Sequence, residues 1–207
     1  MHDPTHKFEG TISPETERRA MLISLIGQPP FLAILPFVAI SIDRSDDLVQ
    51  GIISSAVAIL ASVVVPMVII MYFSWRYGNS DKLDVERRED RYIPLLAGIA
   101  GYIIGAVLLY ILDAPWMVTV LMICYAVVTA AILLVTLRWK ISIHTCGVMG
   151  PTMALAIAFW PYGLLYTLLL PPIVWSRYVL KKHTPLQLAM GAILGVALTA
   201  VLFWLLL

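Results

Sequence analysis

The side chains of this sequence that are best suited to chemistry lie in one short polar segment, residues 176–187. His183 and Gln187 are four residues apart there, so on a helix they would share one face. The amide of Gln187 would then reach an imidazole nitrogen and fix the tautomer of His183. Arg177 carries a planar fork of donors that suits phosphate oxygens. An arginine beside an oriented histidine at a helix start predicts a site for a phosphate-like anion.

Two further polar segments interrupt the apolar chain, at residues 81–94 and 140–147. Each borders the end of a predicted helix, and all three segments would lie on one side of a membrane if successive loops alternate between its sides. The side chains in these two segments that could bind an anion or move a proton are Arg88, Arg91, Ser142 and His144. We therefore expect the three segments to form one polar pocket at a membrane face.

The segment at residues 176–187 resembles the third signature of the type 2 phosphatidic acid phosphatase (PAP2) superfamily. That signature reads Ser-Arg, five residues, His, three residues, Asp. The chain has, in the same order and at the same spacing, Ser176, Arg177, His183 and Gln187. The difference is the amide of Gln187 in place of a carboxylate, since an amide can orient an imidazole but cannot stabilise its cation.

The other two segments resemble the remaining PAP2 signatures, in the correct order along the chain. Residues 141–144, Ile-Ser-Ile-His, are similar to the second signature, Pro-Ser-Gly-His, and keep its serine and histidine. The first signature reads Lys, six residues, Arg-Pro. Arg91 followed by Pro94 is a loose likeness to it, because Asp84 stands where the lysine is expected. The resemblance covers about residues 81–195.

The resemblance implies a metal-independent phosphohydrolase without a cofactor, built on a PAP2-like helical core. It implies that His183 attacks phosphorus to form a phosphohistidine, that His144 protonates the leaving alkoxide, and that Gln187 orients His183. The phosphate oxygens would be bound by the arginines and the serine of the signatures, which here are Arg177, Arg91, Arg88 and Ser142. The expected substrates are phosphatidic acid, other lipid phosphates and isoprenoid diphosphates.

Three alternatives stay open at this stage. The missing carboxylate leaves room for a catalytically silent relative that binds lipid phosphates. The acidic residues of the first segment suggest a magnesium site instead, as in membrane prenyltransferases, although the interleaved arginines would neutralise it; they are Asp81, Asp84, Glu86, Glu89 and Asp90. A transporter is the third alternative, but the predicted spans have no ionisable residue near their centres, where such groups usually mark a pathway.

The composition restricts the kind of protein that can position these residues. The chain has 207 residues, of which 60% are hydrophobic and only 13% are charged, and its mean hydropathy is +0.89. A soluble domain is about half apolar and about a quarter charged. The composition therefore predicts an all-α, polytopic membrane protein surrounded by membrane lipids. A net charge of +1 argues against nucleic acid as a partner, because phosphate-backbone binding needs a basic face.

Stretches without Asp, Glu, Lys or Arg predict the membrane-spanning helices, since a span needs about 20 apolar residues. There are six such stretches, residues 21–42, 48–75, 92–112, 114–137, 141–176 and 184–207. The stretch at 141–176 is too long for one span and short for two. Because Pro161 and Gly163 lie in its middle, we predict a break there and helices at about 146–160 and 164–175. The expected total is seven spans, or six without this break.

The distribution of basic residues predicts the orientation. If loops alternate between sides, every lysine and arginine except Arg44 falls on the same side as the N-terminus, and positively charged loops are usually cytoplasmic. We therefore expect a cell-membrane protein whose N-terminus and phosphate site are cytoplasmic and whose C-terminus is outside. The expected organisation is a polar N-terminal segment, residues 1–20, followed by an integral membrane domain, residues 21–207.

Overall fold

The fold is described by a computed structural model for residues 5–76 and 89–207. These residues form helices and their connections, without a strand, which confirms the all-α prediction. The α-helices are α1 (Pro14–Ile26), α2 (Pro29–Arg44), α3 (Leu48–Ile59), α4 (Val65–Arg76), α5 (Tyr92–Ile111), α6 (Trp116–Thr136), α7 (Ile143–Ala158), α8 (Leu170–Val179) and α9 (Pro185–Leu206). A π-helical turn, Leu60–Val64, joins α3 to α4, and 3₁₀ turns at Glu89–Arg91 and Tyr162–Leu169 precede α5 and α8.

The chain is a membrane protein by the length and apolarity of its helices. Four helical stretches within the described ranges are long and apolar enough to cross a bilayer, and α1 with α2 makes a fifth candidate that is bent by 43°. The four are Leu48–Arg76, Tyr92–Ile111, Trp116–Thr136 and Pro185–Leu206. Their outer faces are apolar; Trp204, for example, is 81% exposed. An apolar surface of this extent is stable where lipid, not water, surrounds it.

The prediction of seven spans is not confirmed. The break at Pro161 is present, but the first half of the stretch is the 16-residue helix α7, about 24 Å long at 1.5 Å per residue. That length is less than the roughly 30 Å of a hydrocarbon core. The second half begins with the 3₁₀ turn Tyr162–Leu169 and continues as α8. Since α8 ends at Val179, it also contains Arg177, which the sequence placed after the helix.

The predicted first span, residues 21–42, is also interrupted. Helix α1 begins earlier, at Pro14, where the Ser13 hydroxyl accepts a hydrogen bond from the Thr16 N–H. It ends at Gly27, and α2 begins with Pro29 and Pro30, positions at which a helix tolerates proline because these N–H groups have no partner within the helix. The predicted domain boundary between residues 20 and 21 therefore falls inside α1.

Three hydrogen bonds join helices at one end of the bundle. We call it the opposite end, because the candidate site described below lies at the other. The bonds run from Arg44 Nη2 to Ala158 O, from Gln50 Nε2 to Asp113 O and from Trp116 Nε1 to Leu206 O, each 2.8 Å long. Helix α7 also ends here, at Ala158. The chain then returns through the 3₁₀ turn and α8 to the other end, which we call the site end.

Helices α7 and α9 are in close contact at the site end because glycine occupies the contact positions. A Cβ atom on Gly195 would lie 2.7 Å from Cys146 O and 2.9 Å from Gly150 N, and one on Gly191 would overlap the carbonyl oxygen of Ser142. Backbone therefore packs on backbone along this pair, as small residues allow in membrane helices. The contact brings the first turns of α7 and α9 side by side.

Candidate functional site

His183 lies in the connection between α8 and α9, and the end of α8 positions it. Lys182 N–H donates to Arg177 O (3.1 Å) and Lys181 N–H donates to Tyr178 O (2.9 Å), the pattern of a Schellman motif. Lys181 takes the left-handed conformation, φ 59°, that glycine usually provides there. The backbone N–H of His183 also points to Arg177 O, at 3.3 Å. The motif therefore turns the chain at once after Arg177 and fixes His183 beside the helix end.

Gln187 does not orient His183, contrary to the sequence-based expectation. Its Oε1 accepts from the Thr184 N–H at 3.2 Å, while its own N–H donates to the Thr184 hydroxyl at 3.3 Å. These two bonds form a capping box at the start of α9. The physical reason is that Pro185 is the first residue of α9, so His183 lies outside the helix and the four-residue spacing does not place the two side chains on one face.

The start of α7 holds His144. Ser142 is the N-cap of α7, and its hydroxyl accepts from the Thr145 N–H at 3.4 Å. Its backbone N–H donates to Gln187 O at 3.2 Å, and the Thr145 hydroxyl donates to Leu188 O at 2.8 Å. The first turns of α7 and α9 are thus hydrogen-bonded to each other. This places His144, in the first turn of α7, at the same end of the bundle as His183.

Arg91 comes from the third polar segment and is the last residue of the 3₁₀ turn before α5. It is buried and lines the same cavity as the two histidines. Arg88 was predicted as a further phosphate ligand and lies outside the described residues, as do Asp81, Asp84 and Glu86 of the alternative magnesium site. At least one side chain from each of the three polar segments therefore lines the same cavity.

The cavity has a volume of about 140 Å³ and differs in character along its length. Its polar part contains Arg91, His144, His183 and, at the break between α1 and α2, Gln28. The remainder continues between the apolar helices α4 to α7 and is lined by side chains that include Ile70, Leu95, Tyr102, Leu121, Val128 and Ile132. Arg177, Ser142 and Gln187 are buried, but they are not among the described residues that line it.

Burial and positive charge together keep His183 neutral. The side chain is 1% exposed, and this burial is the main cause of a pKa well below the ordinary value for histidine. The next contributions come from the charges of Arg177, Arg91 and Lys140 and from His144, which all lower the pKa further. Each of these groups is therefore within electrostatic range of His183. No carboxylate of the described ranges is among the groups that shift this pKa.

Neither ring nitrogen of His183 has a hydrogen-bond partner within residues 5–76 and 89–207. An unpaired polar group in a buried position costs free energy, so such a group is a candidate for contact with a ligand. A neutral imidazole keeps a lone pair that can attack an electrophile. Cations around it attract an anion to the same place. The arrangement can therefore bind an anionic group and present a nucleophilic nitrogen to it.

Sequence reasoning missed one side chain that contacts this cluster, Ser24. Arg177 Nη1 donates to Ser24 Oγ at 2.7 Å, and both side chains are buried. Ser24 lies in α1, more than 150 positions before Arg177, within a stretch assigned to a membrane span. A lone serine in an apolar stretch gives no local signal of a long-range contact. Its role follows only from the packing of α1 on α8.

Comparison of the chain with known protein families, with characterised proteins and with solved structures gives no match.

Proposed function

We propose that this protein is a membrane-embedded phosphatase that cleaves a lipid phosphate or an isoprenoid diphosphate through a phosphohistidine on His183. The observation that carries the proposal is the state of His183: it is buried, neutral and without a hydrogen-bond partner among the described residues, on the wall of a cavity shared with His144 and Arg91. The resemblance of the three polar segments to the PAP2 signatures leads to the same residues.

The proposed reaction has two steps. A ring nitrogen of His183 attacks phosphorus, and the bond from phosphorus to the ester oxygen, or to the bridging oxygen of a diphosphate, breaks. His144 gives a proton to the departing alkoxide, or to the departing isoprenoid monophosphate. Water then attacks the phosphohistidine, gives a proton to His144 and releases inorganic phosphate, which restores both histidines. Arg91 and Arg177 stabilise the charge on the peripheral oxygens, and in phosphoryl transfer such stabilisation is a large part of catalysis.

The shape of the cavity supports a lipid substrate. Its polar part lies at the site end, and its apolar part lies between α7 and helices α4, α5 and α6, which belong to stretches long enough to span a bilayer. A phosphate group at the polar part would leave an attached hydrocarbon chain in contact with apolar side chains, where burial of each CH₂ group is worth about 0.8 kcal/mol. A soluble phosphate ester would leave these side chains without a partner.

The first test measures inorganic phosphate released by the purified protein in detergent. The substrates are phosphatidic acid, phosphatidylglycerol phosphate and polyprenyl mono- and diphosphates, with EDTA present. We expect release that resists EDTA, disappears in His183→Gln and persists in the matched control His6→Gln, because His6 is exposed and outside the cavity. Release that continues in His183→Gln would rule out the phosphohistidine.

The pH profile of the same reaction is a second test. His183 must be neutral to attack and His144 must be protonated to assist the leaving group, so a bell-shaped profile is expected. Because the pKa of His183 is lowered, its acidic limb should lie at lower pH than an exposed histidine would give. A rate that does not change from acid to alkaline pH would contradict the assignment of both histidines.

A catalytically silent lipid-phosphate-binding protein is the second candidate, and the geometry of Gln187 favours it. The Gln187 side-chain oxygen belongs to the capping box. No other side chain of the described ranges holds the His183 ring by a hydrogen bond. Loss of an orienting group can reduce the rate of a histidine-dependent reaction by orders of magnitude. This candidate predicts binding of orthovanadate, a phosphate mimic, without release of phosphate from any lipid in the panel.

A further inference from the structure

We propose that Ser24 is a positioning residue for the phosphate site, which acts by holding the guanidinium group of Arg177. This inference rests on the proposed function only in taking the site to bind phosphate, and it holds equally for a catalytic and a silent protein. Ser24 belongs to none of the three polar segments. It is in α1, at the other end of the sequence from Arg177.

The contact itself is short and protected from solvent. Arg177 Nη1 donates to Ser24 Oγ at 2.7 Å, with Ser24 3% and Arg177 1% exposed. A hydrogen bond from a charged group in a buried environment is stronger than an exposed neutral one. An arginine side chain otherwise has several rotatable bonds, so a fixed acceptor at Nη1 limits the orientations of the guanidinium plane.

The packing of α1 keeps Ser24 in place against α8. Gly27, at the end of α1, lies so close to α8 that a Cβ atom on it would be 2.8 Å from Cδ1 of Ile173. Helix α8 therefore contacts α1 at Ile173 and at Arg177, four residues apart and on one face. This arrangement explains why a helix at the start of the chain fixes a side chain near its end.

The residues before α1 add two contacts near the connection that carries His183. The ring of Phe8 packs edge-on against Tyr178, with 5.6 Å between the ring centroids. The Thr5 hydroxyl accepts from the Leu186 N–H at 3.4 Å. Residues 5–27 thus contact the chain on both sides of His183, at α8 and at the first turn of α9. The start of the chain is a supporting part of the phosphate site and not only a membrane anchor.

The expected consequence concerns the binding of a phosphate-like anion. The Arg177 charge acts on His183, so the guanidinium lies within electrostatic range of the proposed nucleophile. Ser24→Ala removes the acceptor but leaves the charge, so Arg177 stays cationic with a less restricted orientation. We expect orthovanadate to bind roughly tenfold more weakly, as for the loss of a hydrogen bond to a charged group. Ser24→Thr keeps a hydroxyl and should restore most of the affinity.

The experiment measures orthovanadate affinity of the full-length protein in detergent by vanadium NMR, which needs no turnover. The matched control is Ser55→Ala, which removes another buried hydroxyl, one that donates to Gly51 O within α3; it should leave the affinity unchanged. A double-mutant cycle then tests whether Ser24 acts through Arg177. In an Arg177→Gln background, Ser24→Ala should change the affinity by less than roughly twofold.

Three results would overturn the inference, each for a different reason. Equal affinity of Ser24→Ala and wild type would show that the hydroxyl does not position Arg177. An equal loss from Ser24→Ala in both backgrounds would show that it acts through the general packing of α1. No orthovanadate binding by the wild-type protein would remove the phosphate site itself. Binding without lipid hydrolysis would contradict only the proposed enzymatic activity and would leave this inference supported.

Discussion

At the scale of single residues, the central feature is a histidine kept neutral by its surroundings. Burial disfavours the imidazolium, and the nearby Arg177, Arg91 and Lys140 charges disfavour it further. In the proposed reaction the same cations would attract a phosphate group, so one set of charges would both keep the nucleophile neutral and bind the substrate. Binding of a dianion would partly cancel the field of the cations.

The neutral state of His183 predicts a pH dependence of stability. The unfolded chain takes up a proton on this histidine near its ordinary pKa of 6.5, whereas the folded chain does so only at lower pH. Acidification below that value therefore favours unfolding, with a slope of at most about 1.4 kcal/mol per pH unit for one proton. We expect His183→Gln to reduce the loss of free energy of unfolding between neutral and mildly acidic pH.

Denaturant unfolding in detergent at a series of pH values measures this slope. His6→Gln is the control, because His6 is exposed and its substitution should leave the slope close to that of the wild type. The charged groups that act on His183 are Arg177, Arg91 and Lys140, with His144, and all remain in both variants. Parallel curves for wild type and His183→Gln would contradict a buried neutral histidine.

The second prediction at this scale separates the two roles considered for Gln187. As the side chain of a capping box, it should be replaceable by glutamate, which forms the same box and suits a helix N-terminus. Gln187→Leu removes the side-chain half of the box, the acceptor of the Thr184 N–H, and should lower the free energy of unfolding by about 1 kcal/mol, with Gln187→Glu close to wild type. If Gln187→Leu unfolds as wild type does, the side chain does not act as a cap.

The grouping of side chains in the candidate site could be predicted from sequence far better than their contacts. The spacing of Arg177 and His183 and the order of the three segments identified side chains that the structure brings to one end of the bundle. The same segment encodes a capping box, Thr184 to Gln187, with Pro185 at the first helical position. Gln187 is four residues after His183, which suggests a contact along a helix face, and three residues after Thr184, which suggests a capping box. One side chain cannot take both roles. The proline decides between them, because it starts the helix after His183.

At the scale of helices, the geometry of the site depends on the glycines between α7 and α9. Gly195→Ala would place a methyl group 2.7 Å from Cys146 O and 2.9 Å from Gly150 N, so the helices must separate. We expect a loss of about 1–3 kcal/mol in the free energy of unfolding, as for overpacking of a buried contact. His144 is in the first turn of α7, and His183 comes just before α9. Separation of the two helices would therefore change the distance between the histidines, and phosphate release per folded molecule should fall as well.

Gly101→Ala is the matched control for this packing prediction. Gly101 is also in a membrane-spanning helix and in a Gly-x-x-x-Gly pair, but an added Cβ would only touch Val65 Cγ1, at 3.4 Å. This substitution should cost little or even stabilise α5, because alanine favours a helix more than glycine does. Equal effects of the two substitutions on stability and on phosphate release would contradict a special role for the α7–α9 contact.

Helix boundaries could be predicted where a proline or glycine interrupts an apolar stretch. They could not be predicted where contacts between helices determine the boundary. Pro161 gave the break after α7. Residues 21–42 were predicted as one span from their apolarity, although Pro29 and Pro30 are at a typical helix start and the structure begins α2 there. The close approach of Gly27 to Ile173, which holds α1 against α8, is a contact between distant parts of the sequence that no local pattern contains.

At the scale of the whole molecule, polar chemistry and membrane topology are linked. The site end carries Arg91, Lys140 and Arg177, and the opposite end carries acidic residues in the turns before α3 and α6, where Asp47 caps α3 and the Asp113 carbonyl binds Gln50. Charges of this kind set the orientation of a membrane protein. In the proposed function the basic residues of the site would serve two purposes, since cations that bind phosphate would also favour the cytoplasmic side.

The last prediction tests the two ends and the orientation together, by labelling single cysteines with a membrane-impermeant maleimide. Arg138→Cys is placed after α6 towards the site end, and Asp113→Cys is placed in the turn before α6 at the opposite end; both positions are exposed. Because α6 is a 21-residue apolar helix that can cross a bilayer, the two cysteines should react from opposite sides. In intact cells we expect labelling of Asp113→Cys but not of Arg138→Cys.

The wild-type protein is the control for this experiment, since its two cysteines, Cys124 and Cys146, are both buried and should not react. Permeabilised cells should label both variants, which shows that each introduced thiol is accessible. Labelling of Arg138→Cys alone in intact cells would keep the two ends on opposite sides but place the site outside, where it would act on lipid phosphates of the outer leaflet. Labelling of both in intact cells would contradict a membrane crossing by α6. For the proposed phosphatase, the accessible side would therefore indicate which leaflet supplies the lipid phosphate, because the polar side chains of the candidate site lie at one end of the bundle.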